Sequence, residues 1–448
     1  MKSSLGYQLF ALTVLVWLAQ FLLGGWLFSL GLFTLTVFWC LSNSASMRGV
    51  FGYFVLMFGG IAFVALDSQC RYLGAHFVAV AGALFAAIYF AAHGAALFLV
   101  FKALSCWVAR WRALWRHLLL AVCFTVWAWW LTRCSLWPLG HWEGIYLLHP
   151  LAFLIDLRLV RVLLGACGDL CALALMSLLV SFCVQLLYQR RWHACAVVVV
   201  ASVFFEVCYV PAPPPVWLKA VGVVAPPFCP FSDKSSFALI EDLDTCLGGK
   251  KFKEKCLLVF PETTFPRLAN TEFLEARLAQ LSSDNRMILM GVYRTYPSRD
   301  DGEDLVRNAA AAFWRRQCNG YYDKSHRVVF AEWFPLFIER VLSFCGVHVS
   351  SFGVGDGAAH PFLTPMKQCC IPLMCSELFF TKRLLHIALT NKDFVCALIN
   401  DGWFVGTPIP RMMLGAARLQ AAWSGKSVLY ASYQYQGFIS SAGQWLWL

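Results

Sequence analysis

Charge is what this chain has least of. Only 14% of its 448 residues are acidic or basic, 60% are hydrophobic, and the mean hydropathy is +0.64. Ordinary soluble domains carry about 25% charged residues, so neither a disordered chain nor a wholly soluble one fits. The scarcity is uneven. Residues 1–210 hold 12 of the 36 Lys and Arg and 5 of the 25 Asp and Glu, which leaves 24 and 20 for the rest. The chain therefore reads as a membrane part, residues 1–211, followed by a globular part of ordinary charge content, residues 212–448. The net charge of +11 does not call for nucleic acid, because much of the excess sits between apolar runs, where basic residues set orientation.

Other absences narrow the chemistry. There is no G-x-S-x-G and no H-E-x-x-H, which excludes the nucleophile elbow of serine hydrolases and the zincin helix. The 19 cysteines form no C-x-x-C pair and no Cys/His cluster with zinc spacing, so no metal site is expected. Many of them, such as Cys123, Cys167, Cys171 and Cys183, lie in apolar runs, where cysteine acts as a small hydrophobe. Gly353-Val354-Gly355-Asp356-Gly357 lacks the strand-to-helix context of a nucleotide loop and reads instead as a loop over a site. No cofactor is implied. No small-residue cleavage site precedes the second apolar run, so the first run reads as a retained span.

Seven apolar segments approach the roughly 20 residues that a bilayer requires: about 6–23, 25–41, 50–66, 75–101, 117–132, 160–187 and 193–211. Basic residues at their ends fall eight on one side, from Lys2 to Arg191, and four on the other, Arg71, Arg133, Arg158 and Arg161. That asymmetry puts the N-terminus in the cytoplasm and, after an odd number of spans, residues 212–448 on the outer face. The Trp-rich stretch 127–146 reads as an interfacial loop. Asp67, Asp169 and Glu206 are placed near span ends, and mid-span His93 reads as an interhelical hydrogen-bond partner.

In the globular part, apolar runs at 221–224, 257–260 and 287–292 read as strands and 235–247 and 271–283 as helices, an alternation that indicates a layered α/β domain. Three stretches carry the chemistry. Leu257-Leu258-Val259-Phe260 ends at Pro261-Glu262, which presents a carboxylate at the end of a buried strand. Tyr322-Asp323-Lys324 runs on to Glu332 and Pro335, and Ile371-Pro372-Leu373-Met374 runs into Cys375-Ser376-Glu377.

Glu, Lys and Cys, each at a strand end and in this order, resemble the catalytic triad of the nitrilases. With the apolar first half, the chain resembles the apolipoprotein N-acyltransferases. The Lys324-to-Glu332 interval, Cys375-x-Glu377, Asn400-Asp401-Gly402-Trp403-Phe404 and Ala417-Arg418 all match that family's pattern. The resemblance implies a multi-span α-helical membrane bundle followed by a nitrilase-type αββα sandwich. In such an enzyme Glu262 is the base, Cys375 the nucleophile and Lys324 the donor to the oxyanion, with the Ser376 N–H as a second donor. Glu332 and Glu377 would hold Lys324 and assist proton transfer, and Trp403 and Phe404 would line the substrate pocket. The implied activity moves an acyl chain from a membrane phospholipid, through a Cys375 thioester, to the N-terminal amine of a diacylglyceryl-cysteine lipoprotein at the periplasmic face of a bacterial inner membrane. Departures are visible. Ser376 replaces a bulky aromatic residue, Met412-Met413 stand for a Gln-His pair, and the family's last strands and closing span would lie beyond Leu448. Two other readings use the same residues: a nitrilase-like membrane protein of a conjugative transfer system acting on another amide or acyl substrate, and a non-catalytic membrane component.

Overall fold

The structure, a computed structural model, describes residues 76–108, 113–133, 149–189, 213–226, 250–264, 272–296, 305–328, 352–356, 361–379 and 393–447, with isolated residues between them. Contacts divide the chain into two compact units. One comprises Met1–Ser135, Gly144–Pro211 and Phe404–Leu419, the other Leu136–Glu143, Ala212–Trp403 and Gln420–Leu448.

In the first unit three helices match expected spans: α1 (His76–Val108), α2 (Ala113–Arg133) and α3 (Arg158–Tyr188). Their sequences contain no proline and are rich in Ala and Leu, which favours helix; only α3 is interrupted, at Gly168. Two stretches, Ala83–Leu104 and Arg158–Leu186, are long and apolar enough to cross a membrane, and His117–Arg133 is shorter. These helices leave large apolar side chains such as Leu84, Ile88, Val126 and Phe182 exposed. The expected spans at 6–23, 25–41 and 193–211, most of 50–66, and the helix at 235–247 lie largely outside the described residues.

Two expectations are corrected here. Trp127, Trp129 and Trp130 belong to α2, not to a loop, because large apolar side chains suit a helix in apolar surroundings as well as an interface. Asp169 is not at a helix end. Gly168 breaks α3 at φ 80°, and the next residue, Asp169, is buried, accepts from Leu170 N and pairs with Arg133 at 2.9 Å. His93 Nδ1 lies 2.8 Å from Tyr89 O of its own helix, and its ring stands 5.9 Å from that of Trp130 in α2.

The second unit is a two-sheet sandwich. The first sheet has the order β1 (Val221–Val223), β2 (Leu257–Val259), β3 (Met287–Tyr296), β4 (Leu305–Trp314), β5 (Gln317–Asp323). The second runs β11 (Trp445–Trp447), β10 (Gln436–Ile439), β9 (Ser427–Ala431), β8 (Phe394–Leu398), β7 (Cys369–Met374), β6 (Phe362–Leu363). Leu257 and Val259 pack inward against Met374, Cys396 and Leu429 of the second sheet, while Leu258 and Phe260 pack outward with Leu278 of helix α4 (Glu272–Leu281). Both faces of β2 are covered, which is why its sequence is a continuous apolar run and not an alternating one. Helix α5 (Ile409–Ser424) precedes β9; its residues up to Leu419 cluster with the first unit, where Arg418 pairs with Asp156 at 2.5 Å.

The expected recurrence of strand, helix and strand fails at β3–β4–β5. These are consecutive antiparallel strands, and a two-residue turn at Arg315-Arg316, both with positive φ, joins the last two. Such turns favour Asn-Gly, so two arginines gave no signal of one.

Candidate active site

Each candidate residue sits where a strand stops. β2 ends at Val259, and Pro261, which has no N–H to offer, ends the ladder. The chain then turns through Thr263 at φ 52°, with Thr264 Oγ1 donating to Pro261 O at 2.8 Å. Glu262 is thereby folded inward and is only 3% exposed. Behind it, Gly291 of β3 lies so close that an added Cβ would stand 2.5 Å from Glu262 Cα. Gly291→Ala is therefore expected to displace Glu262 and to cost about 1–3 kcal/mol in stability, with a larger loss in Cys375 reactivity. Thermal unfolding and thiol alkylation rates measured side by side check both.

Lys324 follows the last residue of β5. Its N–H donates to Asn308 O and its carbonyl accepts from Gly355 N, both at 2.8 Å. A Cβ at Gly355 would stand 2.2 Å from Asp323 O. The glycine-rich stretch thus braces the backbone behind Lys324. On the other side of β5, Asp323 is held by Arg294, Arg307 and Tyr296. The Lys324 side chain is 2% exposed, and its Nζ donates to Glu262 Oε1 at 2.9 Å and Glu332 Oε1 at 2.8 Å. Glu332 Oε2 in turn accepts from Val328 N at 2.8 Å.

Cys375 follows β7 at the first position of a one-turn 3-10 helix, Cys375–Phe379, with φ 42°. A left-handed conformation at a non-glycine residue costs about 1–3 kcal/mol and persists only where its surroundings impose it. Its thiol lies close enough to Glu262 and Lys324 for their charges to act on it, and the Asn400 backbone lies beside its sulfur. Ser376 Oγ donates to His326 O at 3.2 Å. Glu377 is fully buried; its Oε1 accepts from Tyr322 OH, Ser325 N and Ser325 Oγ at 2.7 Å, and its Oε2 from Met374 N at 2.9 Å. Glu377 therefore acts on the backbone beside Lys324 and Cys375, at one remove from the ammonium that Glu332 touches. Trp403 and Phe404 are half-buried in the one-turn helix Gly402–Phe404, directly after Asp401.

The charges fit a resting state with the proton on sulfur. Burial is the largest influence on Cys375 and, with the charge of Glu262, pushes the thiol well above its ordinary range; Lys324 opposes this in part. Burial also pushes Glu262 upward, against the attraction of Lys324. For Lys324 burial works downward, but Glu262, Glu332 and Cys375 outweigh it and hold the ammonium well above the usual lysine range. Cation, base and thiol are thus packed together without water between Lys324 and its carboxylates, where field effects are largest.

Three residues here were not anticipated. Asn308 of β4 donates from Nδ2 to Glu262 Oε1 at 2.5 Å and to Glu332 Oε1 at 3.3 Å. A single amide in the run Leu305–Trp314, among four alanines, was the available signal, since a buried polar group needs a partner. Tyr293 is packed close enough for Glu262 and Glu332 to raise its phenol, after burial. Tyr433 reaches the carbonyls of Glu262 and Thr263 at 3.4 and 3.3 Å.

No family model matches the chain. Among curated proteins it is similar to the apolipoprotein N-acyltransferase of Haemophilus influenzae, 26% identical over 182 residues, and to that of Sinorhizobium medicae, 30% identical over 196 residues. These matches cover 39% and 41% of this chain and 35% of each relative, so the chain spans about a third of the length of the curated relatives it matches. Among solved structures it is similar to a carbon-nitrogen hydrolase from Helicobacter pylori, with 16% identity, a TM-score of 0.39, and coverage of 50% of this chain and 83% of that one. A nitrilase-superfamily amidase from Nesterenkonia gives 14% identity, a TM-score of 0.37, and coverage of 50% and 84%. Over about two-fifths of its length, the chain resembles the apolipoprotein N-acyltransferases.

Proposed function

We propose that this protein is a membrane-bound N-acyltransferase that carries a fatty acyl chain on Cys375. The observation that carries the reading is the buried contact of Lys324 with Glu262 and Glu332 beside the Cys375 thiol. The thiol passes its proton to Glu262, and the thiolate attacks the ester carbonyl of a phospholipid. Lys324 and the Ser376 N–H receive the oxyanion. Its collapse forms the thioester and expels the lysophospholipid alkoxide, which takes the proton from Glu262. In the second half an amine, the N-terminus of a diacylglyceryl-cysteine lipoprotein, attacks the thioester. It gives its proton to Glu262, the amide forms, and the departing thiolate recovers that proton.

Both substrates are anchored in lipid, which accounts for the joining of a sandwich domain to apolar helices. We place residues 1–211 as a multi-span bundle of a bacterial inner membrane, with the N-terminus in the cytoplasm and residues 212–448 in the periplasm, on the basic asymmetry of the loops. Trp403 and Phe404 are assigned to the acyl pocket.

Intact mass tests the reading. Protein purified from membranes and incubated with phospholipid should carry a fatty-acyl adduct that hydroxylamine removes and that Cys375→Ala lacks. A folded protein that never gains the adduct sinks the acyltransferase reading, and small amides would be tried next.

A further inference from the structure

Asp401 is a fully buried carboxylate that the steps above do not use. Its Oδ2 accepts from Ser432 Oγ at 2.7 Å, and its Oδ1 accepts from Tyr433 N at 2.8 Å and Gln434 N at 3.1 Å. These three donors are successive residues of the turn between β9 and β10, in the second sheet. From that turn the Tyr433 hydroxyl reaches across to the carbonyls of Glu262 and Thr263, the corner of the first sheet that carries the base. The neighbouring Asn400 makes a second tie, its Nδ2 donating to Thr263 Oγ1 at 2.5 Å while its backbone lies beside the Cys375 sulfur. Thr263, at φ 52°, has a β-branched side chain in the left-handed region and must be held there from outside.

We propose that Asp401 is a positioning residue for the base: by fixing the Ser432–Gln434 turn it holds the Tyr433 hydroxyl on the Glu262 corner, and so sets the contact between Glu262 and the Cys375 thiol. The inference rests on the reading of Glu262 as the base for Cys375. Proton transfer requires a heavy-atom separation of roughly 2.6–3.2 Å. A corner released by a fraction of an ångström therefore slows thiolate formation without removing any reacting group.

The tie also has a direction in pH. Burial raises Asp401 to about 6, against the pull of its hydrogen bonds to Ser432, Gln434 and Tyr433. Below that pH the group takes up a proton, and a neutral carboxyl offers fewer acceptor sites to three donors. The tie therefore loosens as pH falls. Among the described residues, Tyr430 of β9 and Tyr433 of the turn are the titratable side chains on which the charge of Asp401 acts. Burial, and to a lesser degree Asp401 itself, raises both phenols, so they stay neutral over the same range.

The experiment is the rate of Cys375 alkylation by iodoacetamide in the full-length protein in its membranes, read from the Cys375 peptide by mass spectrometry between pH 5 and 9. Asp401→Asn and Tyr433→Phe should each slow alkylation about tenfold at pH 7.5, and neither should slow it further in a Glu262→Gln background. The wild type should lose reactivity below about pH 6 along a limb that Asp401→Asn lacks. Tyr433→Phe removes one hydroxyl and keeps the ring, so it guards against a result that only reports misfolding of the Asp401 variant. Wild-type rates in both single variants, with Glu262→Gln slow, overturn the positioning role and leave the base in place. Effects that multiply with Glu262→Gln also overturn it, because they assign Asp401 to general stability. Wild-type alkylation in Glu262→Gln removes the base itself, and this inference with it.

Discussion

Replacing Lys324 with methionine should lower acyl-enzyme formation at least about a thousandfold and destabilise the protein by about 3–5 kcal/mol. Methionine matches the length of the lysine stem but supplies no charge. Glu262 and Glu332, which now share the ammonium, would then meet across an uncompensated buried site. Two carboxylates so placed cannot both ionise, and one takes up a proton. If Glu262 holds that proton, it can no longer accept one from Cys375. The thiol also loses the attraction of Lys324 that partly offsets its burial, so its pKa rises further. The remaining loss is that of the oxyanion donor, which is worth about 10²–10³ in rate by itself. A second substitution separates these effects. Lys324→Met with Glu332→Gln should recover part of the stability, because the excess carboxylate is gone, and none of the activity. A time course of the acylated mass and thermal unfolding give the two readouts. Activity within tenfold of wild type in Lys324→Met would remove this lysine from the mechanism.

The parts of this site visible in the sequence were those that local rules dictate. An apolar run that stops at Pro261 identifies a strand end, and Glu262 is the first polar residue after it. Cys375 stands just past another such run. Lys324 ends a less apolar strand and was read through its intervals to Glu262 and Glu332. What stayed hidden depends on pairing across the sandwich. Asn308 meets Glu262 only because β4 is paired with β3 in a register that sets Asn308 opposite Tyr293 and Gly291 opposite Ala310. Tyr433 is 171 residues from Glu262 in sequence. The loop reading of Trp127–Trp130 and the span-end reading of Asp169 failed for a related reason. A tryptophan run suits an interface or a helix equally, and a glycine break inside a helix leaves an apolar run looking continuous. The match between local pattern and tertiary demand was closest at the three residues proposed to react and weakest at their supports.

Glu377 is the support whose loss should be felt most widely. Glu377→Ala is expected to cost about 3–5 kcal/mol, on the order of 10 °C in the unfolding temperature, and to abolish Cys375 reactivity. Its carboxylate gathers donors from three places: Tyr322 of β5, the Ser325–His326 backbone just after Lys324, and Met374 N just before Cys375. Tyr322 and Met374 are fully buried and Ser325 and His326 partly so, so truncation leaves several donors without acceptors, at up to about 1–3 kcal/mol each before relaxation. The same bonds hold two strained or charged points in place. Met374 N on Oε2 fixes the peptide that enters the left-handed Cys375, and Ser325 fixes the turn that aims Lys324 at Glu262. Glu377→Gln distinguishes this scaffold role from a part in proton transfer. The amide keeps one oxygen for Tyr322, Ser325 and His326, and places an NH₂ against Met374 N. The expected cost is about 2 kcal/mol with most of the alkylation rate retained. A Glu377→Gln protein that folds at near wild-type stability but loses Cys375 reactivity a hundredfold or more would instead give Glu377 a direct part in moving the proton.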